Sequence, residues 1–108
     1  MTTDYSTAIA ACNQCALACE QCWTACLQED DTDMLTECIR TDIDCAGICR
    51  FTAALLARRS EFIEQVCQLC VEVCAKCATI CEQHNHDHCQ ECAAACRACA
   101  SACRALIN

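Results

Sequence analysis

The chain has no proline and one glycine, Gly47, in 108 residues. Sandwiches and barrels draw on both residues at their many turns, so an all-β fold is disfavoured. Aromatic residues are only 4% of the chain, too few to build a core from rings. Basic side chains number 7 against 15 acidic ones, a net charge of −8. A nucleic-acid partner would call for a basic face, and this balance argues against one. No apolar run approaches the roughly 20 residues of a membrane-spanning helix. The opening stretch MTTDYSTAIAACNQC lacks a basic n-region, a long apolar h-region and a twin-arginine signal. The expected compartment is therefore the cytosol, where thiols stay reduced. Disorder is excluded by a hydrophobic content of 56% beside 20% charged residues.

What the chain does have is cysteine, 18 in all. They fall in four clusters: Cys12, Cys15, Cys19, Cys22 and Cys26; Cys38, Cys45 and Cys49; Cys67, Cys70, Cys74, Cys77 and Cys81; Cys89, Cys92, Cys96, Cys99 and Cys103. Three clusters step by three and four residues in alternation, the spacing of one helix face. The remaining cluster has the same register with one member replaced, by Asp42. Neighbours of the stripes are apolar, as at Ala16, Ala18, Ile39, Ala46, Val66, Val71, Ile80, Ala93 and Ala100. Polar residues such as Asn13, Gln14, Gln68, Glu72, Lys76, Gln90 and Arg97 fall on the opposite side. Each segment is amphipathic with cysteine at the centre of its buried stripe.

The expected helices cover about 4–28, 32–58, 60–83 and 87–106, with Ser60 and Thr32 or Asp33 as candidate caps. The links between them are short, which favours antiparallel neighbours. The fold class is all-α: one up-down-up-down four-helix bundle over 1–108 with a cysteine-lined core. This topology gathers Cys26, Cys38, Asp42, Cys81, Cys89 and three histidines at one end. The other end receives Tyr5, Ala8, Thr52, Leu56, Ile63 and Leu106, an apolar plug. Met34, at the polar end, is expected to pack, with weak ligation as the lesser reading. On the outer side of the second helix, Ile43, Gly47, Phe51 and Ala54 break the polar pattern. Gly47 costs about 1 kcal/mol in a helix relative to Ala, so close approach by another helix, at a subunit interface, is expected on this face.

Cysteine at nearly every seam position calls for more than packing. Leu or Ile would bury more surface, at about 0.8 kcal/mol per added CH₂. Disulfides fit poorly. Positions three or four apart on a helix hold their Cβ atoms about 5–6 Å apart, and a relaxed bridge wants about 4 Å. A metal ion relieves the mismatch, because thiolates at about 2.3 Å from one ion stand further apart. Soft thiolates suit Cu(I), Zn(II) and iron–sulfur clusters. Separate four-thiolate zinc sites would bury net charge, and the cluster-binding loop spacing with its proline is missing. Bridged Cu(I) keeps a filled core near neutral and is favoured, with many ions per chain; a zinc or iron–sulfur protein is the alternative. A thiol redox enzyme would need one activated cysteine in an electropositive setting, and uniform stripes single out none. Protonated thiols tolerate burial, so the bundle is expected to fold empty.

The run Cys12-x₂-Cys15-x₃-Cys19-x₂-Cys22-x₃-Cys26, its counterparts over 67–81 and 89–103, the segment CIRTDIDCAGIC and the segment HNHDHC together resemble one family. It is the cytosolic branch of the bacterial four-helix-bundle copper storage proteins, whose members are sometimes labelled ferredoxin-like. The resemblance covers nearly the whole chain. It implies a homotetramer, many Cu(I) held by core thiolates, entry at the histidine-bearing end and no catalysis. His84, His86 and His88 are candidate ligands there, since imidazole binds copper, and His88 lies nearest the Cys89 seam. Asp42 occupies a seam position where an unpaired carboxylate is costly, so a metal contact or a histidine partner is expected.

Overall fold

The computed structural model describes residues 3–107; residues 1, 2 and 108 of the expected 1–108 unit lie outside the described residues. Four helices carry the fold: α1 Ser6–Cys26, α2 Thr36–Ala57, α3 Ile63–Cys81 and α4 Asp87–Arg104. A short 3₁₀ turn, Thr32–Leu35, precedes α2. Among the described residues there is no strand. α1 packs on α2, α2 on α3, α3 on α4, and α4 returns to α1. The result is a slender four-helix bundle of 52 × 19 × 18 Å.

The cysteine stripes form the interior. All 18 cysteines are fully buried and reduced. The flanking Ala16, Ala46, Val66, Val71, Ala78, Ile80, Ala93 and Ala100 are buried around them, as the amphipathic pattern requires. The apolar end forms as expected: Ala8, Thr52 and Leu56 are buried, and Tyr5, Ile63, Leu106 and Ile107 lie half-buried against them. Thr52 satisfies its hydroxyl by donating to the Ile48 carbonyl at 2.8 Å.

α4 starts at 87 as expected; the other helix ends differ from the expected ones by one to four residues. α3 begins at Ile63, not 60, because the chain turns sharply after α2. Arg59 has φ 54°. The Arg59 amide donates to the Leu56 carbonyl and the Ser60 amide to the Leu55 carbonyl, at 3.1 and 3.0 Å. These two bonds close a Schellman motif with arginine where glycine is usual. Ser60 then accepts the Phe62 amide at 3.0 Å, one turn before the helix. At the start of α2, neither Thr32 nor Asp33 caps by its side chain. The 3₁₀ turn instead rotates Leu35 inward, fully buried, and leaves Met34 74% exposed. The expectation that Met34 packs is therefore corrected; Leu35, which the sequence did not mark, does the packing.

Gly47 is open on the outer face of α2. A Cβ built at Gly47 would meet no atom of the described residues within 4 Å, so the approach expected there is left to another copy of the chain. Ile43 and Phe51 on the same face are about half exposed. A groove between α2 and α3 continues this face, lined by Phe51, Leu55, Phe62, Val66 and Leu69.

Candidate metal-storage site

The four stripes meet as a column of sulfur. Contacts along a helix, such as Cys22–Cys26 at 4.0 Å and Cys70–Cys74 at 3.8 Å, alternate with contacts across helices. Among the latter are Cys38–Cys81 at 3.3 Å, Cys15–Cys96 at 3.6 Å and Cys12–Cys103 at 3.7 Å. Within groups of four, all sulfurs lie within 4.8 Å of one another. From mouth to plug these include Cys22, Cys26, Cys38 and Cys89; Cys19, Cys77, Cys92 and Cys96; Cys15, Cys19, Cys45 and Cys96; Cys15, Cys49, Cys74 and Cys99; and Cys12, Cys70, Cys99 and Cys103. The groups overlap: Cys15, Cys19, Cys96 and Cys99 each belong to two. Cys67 sits beside Cys103, whose thiol, with burial, pushes its pKa up.

Asp42 stands one layer inside the mouth, fully buried. Its Oδ1 accepts from Cys77 at 3.1 Å, Cys92 at 3.3 Å and Cys81 at 3.4 Å, and its Oδ2 from Cys38 at 3.8 Å. The partners are thiols, not the expected histidine. Burial, with the nearby charge of Cys92, pushes its pKa up from 3.8 to about 8. The metal-free site therefore holds a neutral carboxyl at pH 7. Burial also raises the Cys26 thiol to about 12 and pushes Cys89 up. Neutral groups at these three positions are what a core tolerates.

At the mouth the histidines separate. His88 turns Nδ1 into the bundle, 3.5 Å from the sulfur of Cys22, 3.6 Å from Cys89 and 3.9 Å from Cys26. Its Nε2 lies 2.7 Å from Glu29 Oε2. His86 stacks on it, ring centroids 5.3 Å apart and planes 6° apart. Both nitrogens of His86 face carboxylates, Nδ1 at 3.0 Å from Glu29 and Nε2 at 3.0 Å from Asp31. His84 is half-buried in the link to α4, and its carbonyl accepts from Gln90 at 2.6 Å. Of the three histidines expected at the site, then, His88 contacts sulfur and His86 forms the layer above it. Glu29 was missed by sequence reasoning, because an acidic run after a helix looks like a solvated loop.

A four-helix bundle filled by reduced thiols, plugged at one end and fringed at the other by imidazole and carboxylate, is a container for soft metal ions. The family model for copper storage proteins matches residues 1–108. The chain belongs to the copper storage protein family. It is 45% identical over 90 residues to an uncharacterized cysteine-rich protein of Bacillus subtilis strain 168, YhjQ, covering 82% of this chain and 83% of that one. Among solved structures it resembles the Cu(I)-bound copper storage protein BsCsp3, from Bacillus subtilis (TM-score 0.90, 42% identity, 94% of this chain and 95% of that one). It also resembles a cytosolic copper storage protein from Streptomyces lividans, solved with five coppers (TM-score 0.91, 45% identity, 94% and 89%).

Proposed function

We propose that the protein is a cytosolic, high-capacity Cu(I) store that fills through its histidine-bearing end and acts without catalysis. The observation that carries this reading is the sharing of sulfurs between neighbouring four-thiol groups. Discrete zinc sites need a separate quartet each, whereas Cu(I) thiolate chemistry uses one sulfur to bridge two ions. At a metal–sulfur distance of about 2.3 Å, two sulfurs at a trigonal angle stand about 4 Å apart. In the empty column the nearest sulfurs are 3.3 Å apart, and within each quartet all lie within 4.8 Å of one another. One proton leaves for about each Cu(I) bound, so filling adds little net charge to the core. The 18 cysteines are the storage ligands in this reading, Asp42 contacts copper near the mouth, and His88 receives ions from solvent. His84 and His86 serve the approach further out. The Cu(I)-bound and copper-loaded relatives support the assignment.

The exposed apolar face of α2 and α3 supports a homotetramer, with Ile43, Phe51, Phe62 and Leu69 at the contact between copies. Each of these side chains is about half exposed, and no described residue covers Gly47.

The test is an anaerobic titration of reduced protein with Cu(I) against a competing chelator, with Zn(II) in parallel and circular dichroism before metal. Tight uptake approaching one Cu(I) per cysteine, into an already helical protein, is expected. Saturation at about four ions, with zinc competing well, would mean separate tetrahedral sites and end the storage reading.

A further inference from the structure

Glu29 lies outside every cysteine stripe, in the link between α1 and the 3₁₀ turn. Its Oε2 lies 2.7 Å from His88 Nε2 and 3.0 Å from His86 Nδ1. An ionised carboxylate only accepts hydrogen bonds. In a neutral His88 the proton facing Glu29 is therefore on Nε2. Nδ1 is then the bare nitrogen, and it faces the sulfurs of Cys22, Cys89 and Cys26. Without Glu29 no carboxylate holds the proton on Nε2, and an Nδ1–H, which the facing sulfurs can accept, would present a donor where a ligand is needed.

We propose that Glu29 is a positioning residue for Cu(I) capture, holding His88 as the Nε2–H tautomer with its Nδ1 lone pair turned into the mouth thiols. Histidine ligands commonly depend on such a carboxylate to set tautomer and ring orientation. The same oxygen also anchors His86, whose other nitrogen lies 3.0 Å from Asp31. The His86 ring stacks on His88. Glu29 thus orders both rings but leaves only His88 with a nitrogen facing sulfur.

The consequence for loading rests on the Cu(I) reading above; the tautomer does not, and the two are measured separately. Imidazole ¹⁵N shifts of the reduced, metal-free protein at pH 8 report which nitrogen carries the proton. Wild type is expected to show protonated Nε2 and bare Nδ1 at His88. Glu29→Ala is expected to give a mixture, and Glu29→Gln, whose amide oxygen still accepts, to restore most of the wild-type pattern. Uptake of the first Cu(I) from a chromophoric chelator is expected to weaken about tenfold in Glu29→Ala, with total capacity unchanged. In a His88→Ala background, Glu29→Ala is expected to add less than about twofold, since the two act as one unit. Circular dichroism checks that each variant folds. An unchanged His88 tautomer in Glu29→Ala overturns the proposal, and so do loading effects of the two substitutions that multiply. A wild type that takes up no Cu(I) ends the storage reading and the loading role with it, while the tautomer comparison still decides whether Glu29 sets the ring.

Discussion

Asp42 is the residue at which a polar group was placed inside a core built to be neutral. Its seam position follows from the spacing of Cys38, Cys45 and Cys49, but its environment does not. Four thiols from three helices surround it, and no reading along one helix brings Cys77, Cys81 and Cys92 to the same oxygen. The raised pKa has a consequence for stability. Between the ordinary 3.8 and about 8, the folded state holds a proton that the unfolded chain has released. Stability of the metal-free protein therefore falls as pH rises through this window, by up to about 1.4 kcal/mol per unit. It is fully retained below the lower value. Asp42→Asn removes the titrating group while keeping the shape. Urea denaturation of reduced protein from pH 4 to 8 is expected to show a decline for wild type and a nearly flat profile for the variant. Parallel profiles would mean that the carboxyl ionises without cost.

At the scale of elements, the helices were legible because the 3,4 spacing of cysteine cannot be satisfied by a strand. The ends were less legible, because caps depend on local backbone bonds. The link from α2 to α3 shows why. Glycine is the expected closing residue of a Schellman motif, and Arg59 takes its place. The left-handed conformation costs a non-glycine residue about 1–2 kcal/mol. Arg59 offsets this by lying 4.9 Å over the Tyr5 ring and donating to the Thr3 carbonyl at 2.8 Å. These contacts tie the start of α1 to the end of α2 at the plugged end. Arg59→Ala keeps the strain and loses the contacts, so it is expected to destabilise by about 1 kcal/mol. Arg59→Gly loses the contacts but also the strain, and is expected to stay within about 0.5 kcal/mol of wild type. Thermal denaturation of the two variants separates these effects; equal losses would mean that the turn carries no strain.

For the molecule as a whole, charge and apolar surface are distributed unevenly. The mouth links carry Glu29, Asp30, Asp31, Asp33 and Glu82 and no Lys or Arg, whereas Arg58, Arg59 and Arg104 lie toward the plug. An acidic rim attracts a cation and strengthens its encounter at low salt. The exposed apolar side chains Ile43, Phe51, Phe62 and Leu69 lie instead along α2 and the first turns of α3. Gly47→Ala meets no clash inside the chain and should raise helix stability by about 1 kcal/mol. Gly47→Leu adds bulk at the proposed contact and is expected to lower the oligomeric mass in sedimentation equilibrium while leaving helicity intact. A native mass for the Leu variant would remove this face from the contact.

The sequence alone determined the helices, their amphipathic sense, the all-α bundle and the identity of the thiol column. Those follow from periodicity, and periodicity is local: it needs only the order of residues and the geometry of a single helix. It also marked Asp42 and the HNHDH segment, because each interrupts a regular pattern. Tertiary structure alone decided which groups meet. The overlapping quartets, the thiol cage around Asp42 and the Glu29–His88 pair each join residues from different helices and links, at separations such as 59 and 50 positions. It also separated three similar histidines into one that faces sulfur, one stacked above it and one in the adjoining link. Contacts of this kind depend on how four helices rotate and stagger against one another, and that is settled only when all four stripes are buried together.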